Sequence, residues 1–121
     1  MVAATIRTSL MGAVSLYPRL PILNRIAINF STSGDQTVIA ADTNGNRIVV
    51  HRIWFLVAGA TNLTFKDNLP SPAAVPFAAN EGITFDATGE PWFITAPNTA
   101  FIINSSVGVQ VSGEIYYALA Q

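Results

Sequence analysis

Residues 47–58 read Arg47-Ile48-Val49-Val50-His51-Arg52-Ile53-Trp54-Phe55-Leu56-Val57-Ala58, a run of β-branched and aromatic side chains that suits extended backbone. Strict alternation puts Ile48, Val50, Trp54 and Leu56 on one face and Val49, Ile53, Phe55 and Val57 on the other, so neither face is made for water. Such a strand must be central and covered twice. In an antiparallel sandwich one face meets the partner sheet, which leaves the second to an arm, a loop or another subunit. Burying one side chain of this size contributes about 1.5–3 kcal/mol, so several together make a substantial contact.

The same period of two extends on either side. Ile26, Ile28 and Phe30 alternate with Arg25, Ala27 and Asn29, and a second strand runs from Gln36 to Ala41. Asn44-Gly45 then signals a hairpin, because a type I′ turn needs positive φ at both central residues. Further short strands follow at Thr61 to Lys66, Val75 to Ala78, Gly82 to Asp86, Trp92 to Thr95, Thr99 to Asn104 and Val107 to Ala118, separated by Gly, Pro, Asn and Asp. Gly113 within the last marks a bulge or a close backbone approach. The expectation is an all-β, single-domain antiparallel β-sandwich of eight or nine short strands over residues 24–121. The strand count and the lack of a Cys…Trp…Cys framework favour a jelly roll over an immunoglobulin-like sandwich.

Residues 1–23 differ in texture, with Pro18 and Pro21 favouring extended backbone and withholding ladder donors. They read as an N-terminal arm whose Leu16, Leu20 and Ile22 are too apolar for a free tail, so it should dock on its own domain, a neighbour or an underlying lattice. Leu10 to Leu16 is barely long enough for the apolar part of a signal peptide, and Tyr17, Pro18 and Arg19 stand where a cleavage site belongs.

Charged residues make up 11% of the chain and apolar residues 50%, against roughly a quarter charged in an ordinary soluble domain. Every apolar run is broken well short of the roughly 18–20 residues of a membrane helix, so the surplus points to subunit contacts and no membrane partner is expected. Six basic residues scattered over a chain of net charge −1 form no stripe along phosphates, and nucleic acid is not an expected partner either. The absence of cysteine removes disulfides, thiolate catalysis and Cys-based zinc sites.

The residues that could carry chemistry are few. His51 is the only histidine, so a Ser-His-Asp triad would have to use it, and a cupin-type metal site needs more histidines than one. Asp86 and Glu90 could be paired as glycosidase acid and base, but they share one surface turn without an expected cleft. Asp67 and Asn68 could contribute to an oxygen-ligated calcium, without EF-hand spacing. Trp54, Trp92, Phe93, Tyr116 and Tyr117 read first as core or interface aromatics and second as platforms for sugar rings. No enzyme, no metal and no cofactor is expected.

The segments His51 to Ala58, Ala60 to Asp67, Pro76 to Gly82, Pro91 to Phe93 and Val109 to Tyr117, taken in order, resemble small jelly-roll virion proteins of tailed bacteriophages, especially capsid decoration or cement proteins. The likeness spans about residues 46–120 and leaves out the arm. It implies a homotrimer on the capsid surface, made in the host cytoplasm, that bridges neighbouring major capsid proteins and has no catalytic residues. The residues expected at subunit or capsid contacts are Leu16, Leu20, Ile22, Val49, His51, Ile53, Phe55 and Trp92. The alternative is a tail-tip or spike module that binds host carbohydrate.

Overall fold

A computed structural model describes residues 23–70, 72–86 and 90–121. Leu16, Leu20 and Ile22, with all of the expected arm but Leu23, lie outside the described residues. The chain is a β-sandwich of two antiparallel sheets built from nine strands, with no helix among the described residues. In chain order these are β1 (Asn24–Phe30), β2 (Gly34–Ile39), β3 (Arg47–Val57), β4 (Thr61–Lys66), β5 (Val75–Phe77), β6 (Gly82–Asp86), β7 (Phe93–Ile94), β8 (Phe101–Ser105) and β9 (Val111–Ala120). The first sheet has the order β1-β9-β3-β6, with β7 also on β3; the second has the order β2-β8-β4-β5.

The arrangement of β3 differs from strict alternation at one residue. Val50 pairs with Tyr117 and Arg52 with Tyr116, which leaves His51 as the extra residue of a β-bulge. The extra residue reverses the parity of everything after it. Ile48 and Val50 before the bulge and Ile53, Phe55 and Val57 after it all turn inward and are buried, while Arg52, Trp54 and Leu56 point out. Ile53 and Phe55, expected at a subunit contact, are therefore core residues, 1% and 2% exposed. The bulge also marks a change of partner. Beyond it β6 pairs with Arg52 to Leu56; before it β7 pairs with Val49 and Val50, continued by Trp92 N–H on Val50 O at 2.7 Å and by Thr95, which exchanges bonds with the Ile48 backbone.

Inward side chains of both sheets form one core around Ile28, Phe55, Leu63, Phe65, Phe101, Ile103, Val111 and Ile115. Edge-on aromatic contacts thread it, with Phe55–Phe77 at 5.3 Å, Phe65–Trp92 at 5.0 Å and Phe93–Phe101 at 5.2 Å between ring centres. Gly113 lies between Ile28 and Phe55 in the register, and a Cβ there would run into Trp54 O and Phe55. Of its two sequence readings the close approach is the correct one.

Asn44-Gly45 forms a turn but not a hairpin. Gly45 has φ +84°, whereas Asn44 is not among the residues with positive φ, and β2 and β3 belong to different sheets. Local polar groups hold this crossing instead: Asp42 accepts from Asn44 N–H at 3.1 Å and from Asn46 Nδ2 at 2.6 Å, and Asn98 Oδ1 accepts from Gly45 N–H at 2.7 Å. A second clip sits at buried Asp67, whose two oxygens accept from Leu69 and Ala96 N–H.

The reversed parity gives a direct test. Phe55→Ala is expected to cost about 3–5 kcal/mol in urea unfolding, and Phe55→Asp to abolish folding, while Leu56→Asp one residue away leaves a folded subunit by circular dichroism.

Candidate functional site

The outward residues of the first sheet line up in three rows. Arg25, Tyr116, Arg52 and Asp86 form one; Ala27, Glu114, Trp54 and Thr84 the next; Asn29, Ser112, Leu56 and Gly82 the third. In the first row the Arg52 guanidinium lies 5.4 Å from the Tyr116 ring centre and 2.9 Å from Asp86 Oδ2. In the second, Trp54 Nε1–H donates to Glu114 Oε1 at 3.3 Å while Arg25 pairs with the other oxygen at 3.5 Å. In the third, Gln110 donates to Asn29 and Ser112, which leaves Leu56 as an apolar end.

The charges of this face are thus paired with one another and the apolar surface is not paired with anything. Trp54 is 44% exposed, Leu56 50%, and Ile94, which lies beside Val49, 51%. Two shallow hollows flank Trp54. One of about 280 Å³ is lined by Arg52, Trp54, Thr84, Asp86 and Tyr116. The other, about 380 Å³, lies between Trp54 and Leu56 over Gly82, Ile83 and Thr84.

The outer face of the second sheet is built for water. There Asn62, Thr64, Lys66, Asp35, Thr37 and Asn104 point out, with Lys66 Nζ 3.0 Å from Asp35 and Asn104 donating to the same carboxylate at 2.7 Å. Among the described residues Ile102 and Pro76 interrupt it. One outer face is almost wholly polar, and the other mixes paired charges with exposed apolar side chains.

Of the residues expected at contacts, Val49 lies on the apolar outer face and is half-buried, and His51 occupies the bulge, also half-buried. Trp92 is half-buried as well, but its ring packs among Phe65, Phe85, Phe93 and Phe101 and belongs to the rim of the core. The exposed positions fall instead to Trp54, Leu56 and Ile94. The His51-Arg52 pair interrupting an apolar run was the signal for this, since two successive polar residues mark the place where alternation slips.

The groups weighed for chemistry are engaged otherwise. Asp86 is held below its ordinary carboxylate range by the Arg52 hydrogen bond and charge, the opposite of what a glycosidase acid requires. Both oxygens of Asp67 are taken by backbone N–H groups, and no cluster of metal-ligating side chains occurs among the described residues. Exposed Glu81 accepts from Ala78 N–H at 2.7 Å. The arrangement is an exposed indole and an aliphatic end within a margin of paired charges. No family model matches the chain, and no curated protein or solved structure compared with it does either.

The lowered pKa of Asp86 fixes the sign of its acid response. A carboxylate depressed on folding contributes stability above its unfolded pKa, and that contribution is lost as pH falls through the folded value. Asp35, lowered by Asn104 and Lys66, and Asp42, lowered by Asn46 and Asn44, act in the same direction. Thermal midpoints should therefore fall below about pH 4, and Asp86→Asn should flatten part of that slope. Asp35 and Asp86 are exposed and Asp42 is half-buried, so the effect is small and weaker at high salt.

Proposed function

We propose that the chain is a non-enzymatic virion protein, a capsid decoration or cement protein of a tailed bacteriophage. It binds the assembled head as a homotrimer, touches no nucleic acid or membrane, and holds neighbouring major capsid proteins together. The observation that carries this reading is the contrast between the two outer faces, because exposed Trp54, Leu56 and Ile94 on one sheet ask for a protein partner that the solvated sheet does not.

The fold reading within it is a jelly roll. With two-residue β7 set aside, the first strand pairs with the last, the second with the next to last, the third with the sixth and the fourth with the fifth, through the ladders β1·β9, β2·β8, β3·β6 and β4·β5. Nested pairing of this kind, wrapped into two four-stranded sheets, supports that assignment. The mechanism is mass action: a subunit that binds only the assembled shell shifts the equilibrium toward it and adds stability in proportion to the logarithm of its concentration over Kd.

One observation favours a second reading. The hollow beside Trp54 joins an indole face to Arg52, Asp86, Thr84 and Tyr116, a mixture suited to a sugar ring, as a tail-tip or spike module binding host carbohydrate would need.

Light scattering at micromolar concentration is expected to give three times the chain mass, and the protein is expected to bind saturably to undecorated heads of the phage that encodes it. Trp54→Asp with Leu56→Asp should abolish head binding or trimer formation while circular dichroism stays that of the folded subunit. A wild-type monomer that ignores such heads but binds on a glycan array would replace this reading by the second.

A further inference from the structure

Asn44 is the only asparagine of the chain that is followed by glycine. That pair carries a reaction of its own, because a glycine nitrogen has no side chain beside it to shield the preceding carboxamide. Once the Gly45 amide has given its proton to hydroxide, its nitrogen attacks Asn44 Cγ, the bond from Cγ to Nδ2 breaks, ammonia leaves with a proton from water, and a succinimide ring remains. Water then opens the ring at either carbonyl. The product is aspartate or, with the main chain rerouted through the side chain, isoaspartate.

Both residues are exposed and a Cβ at Gly45 would meet nothing, so solvent reaches the pair freely. The proton that must leave is nevertheless held: Gly45 N–H donates to Asn98 Oδ1 at 2.7 Å. An amide bonded in this way gives up its proton only when the contact opens, as in hydrogen exchange. Asn98 is itself fixed from several sides. Its N–H donates to Asn46 O at 3.1 Å, Thr99 Oγ1 donates to Ala96 O at 2.8 Å, and Ala96 N–H donates to buried Asp67 at 2.8 Å. Its φ of +60° is a conformation that asparagine tolerates better than most residues with a side chain.

We propose that Asn44 is a site of spontaneous deamidation and that Asn98, a positioning residue, sets its rate in the folded protein by holding the Gly45 N–H. The inference is independent of the virion reading. Conversion places a second carboxylate beside Asp42, whose oxygens already accept from Asn44 N–H and Asn46 Nδ2, and the isoaspartyl product lengthens the main chain between β2 and β3 by a methylene. Both changes loosen the crossing between the sheets.

The chain supplies an internal control. Asn104-Ser105 also has a small follower, but it lies within β8 between β2 and β4, with Asn104 Nδ2 on Asp35 at 2.7 Å, and paired extended backbone keeps its nitrogen from Cγ. Full-length wild type and Asn98→Gly, which admits the positive φ and removes the acceptor, are held folded at mildly alkaline pH while peptide mapping by mass spectrometry follows conversion. Asn44 is expected to convert about tenfold faster in the variant, the factor that one hydrogen bond is worth, with Asn104 intact in both proteins. Asn98→Asp retains the acceptor and should keep the wild-type rate. In urea, wild type and Asn98→Gly should convert at a common, faster rate. Equal rates in folded wild type and Asn98→Gly would overturn the role of Asn98, and an Asn44 that stays intact even in urea would overturn the site. If Asn98→Gly does not fold, hydrogen exchange at the Gly45 amide of the wild type decides: protection supports the inference, and exchange at the free-peptide rate overturns it.

Discussion

The extra residue at His51 sets the identity of nearly every surface in this molecule. β3 has a ladder partner along its length on one side and two successive partners on the other, β7 and then β6. Placing one unmatched residue where those partners change lets both ends of β3 present branched or aromatic side chains to the core. Without it, Arg52, Trp54 and Leu56 would be three of the five inward residues, and a charged guanidinium would enter the core. Burial of an unpaired charge costs several kcal/mol, which is more than the local loss of pairing at a bulge.

That choice has a cost on the outside. Trp54 and Leu56 are turned to solvent, and the polar residues around them pair among themselves, Arg52 with Asp86 and Arg25 with Glu114, so they cannot cover the indole. The opposite sheet carries its own closed set of polar contacts, Lys66 with Asp35 and Asp35 with Asn104, and its exposed large apolar side chain, Val75, sits at the β5 edge and not on the outer face. The molecule is therefore two-sided, and the face that sets exposed Trp54, Leu56 and Ile94 among its paired charges is that of the sheet bounded by β1.

Strand existence was legible because alternation and turn residues act locally: all nine expected strands are present, with β9 starting at Val111 rather than at Val107, and β2 at Gly34 rather than at Gln36. Which residues faced outward was not legible from period alone, since a one-residue slip reverses every later side chain. His51 and Arg52, adjacent and polar within an apolar run, were the only trace of it. The Asn44-Gly45 turn misled for a related reason: a short-range signal reports that the chain reverses, while the sheet that receives the next strand depends on β8 and β9, more than fifty residues farther on. The sequence leaves Trp92 between core and interface because the rings that enclose it come from β4, β6, β7 and β8, and only the last two flank it closely in sequence.

The placement of β9 between β1 and β3 has a consequence for how the chain is made. β9 separates two strands synthesised well before it, so the larger sheet cannot close while its middle member is still in the exit tunnel. Contact order is correspondingly high, with Asn24 paired to Tyr117, and the sheet waits for β9 to emerge. Until then β1 and β3 each expose an open edge, and in a crowded polysome those edges belong to many nascent copies at once.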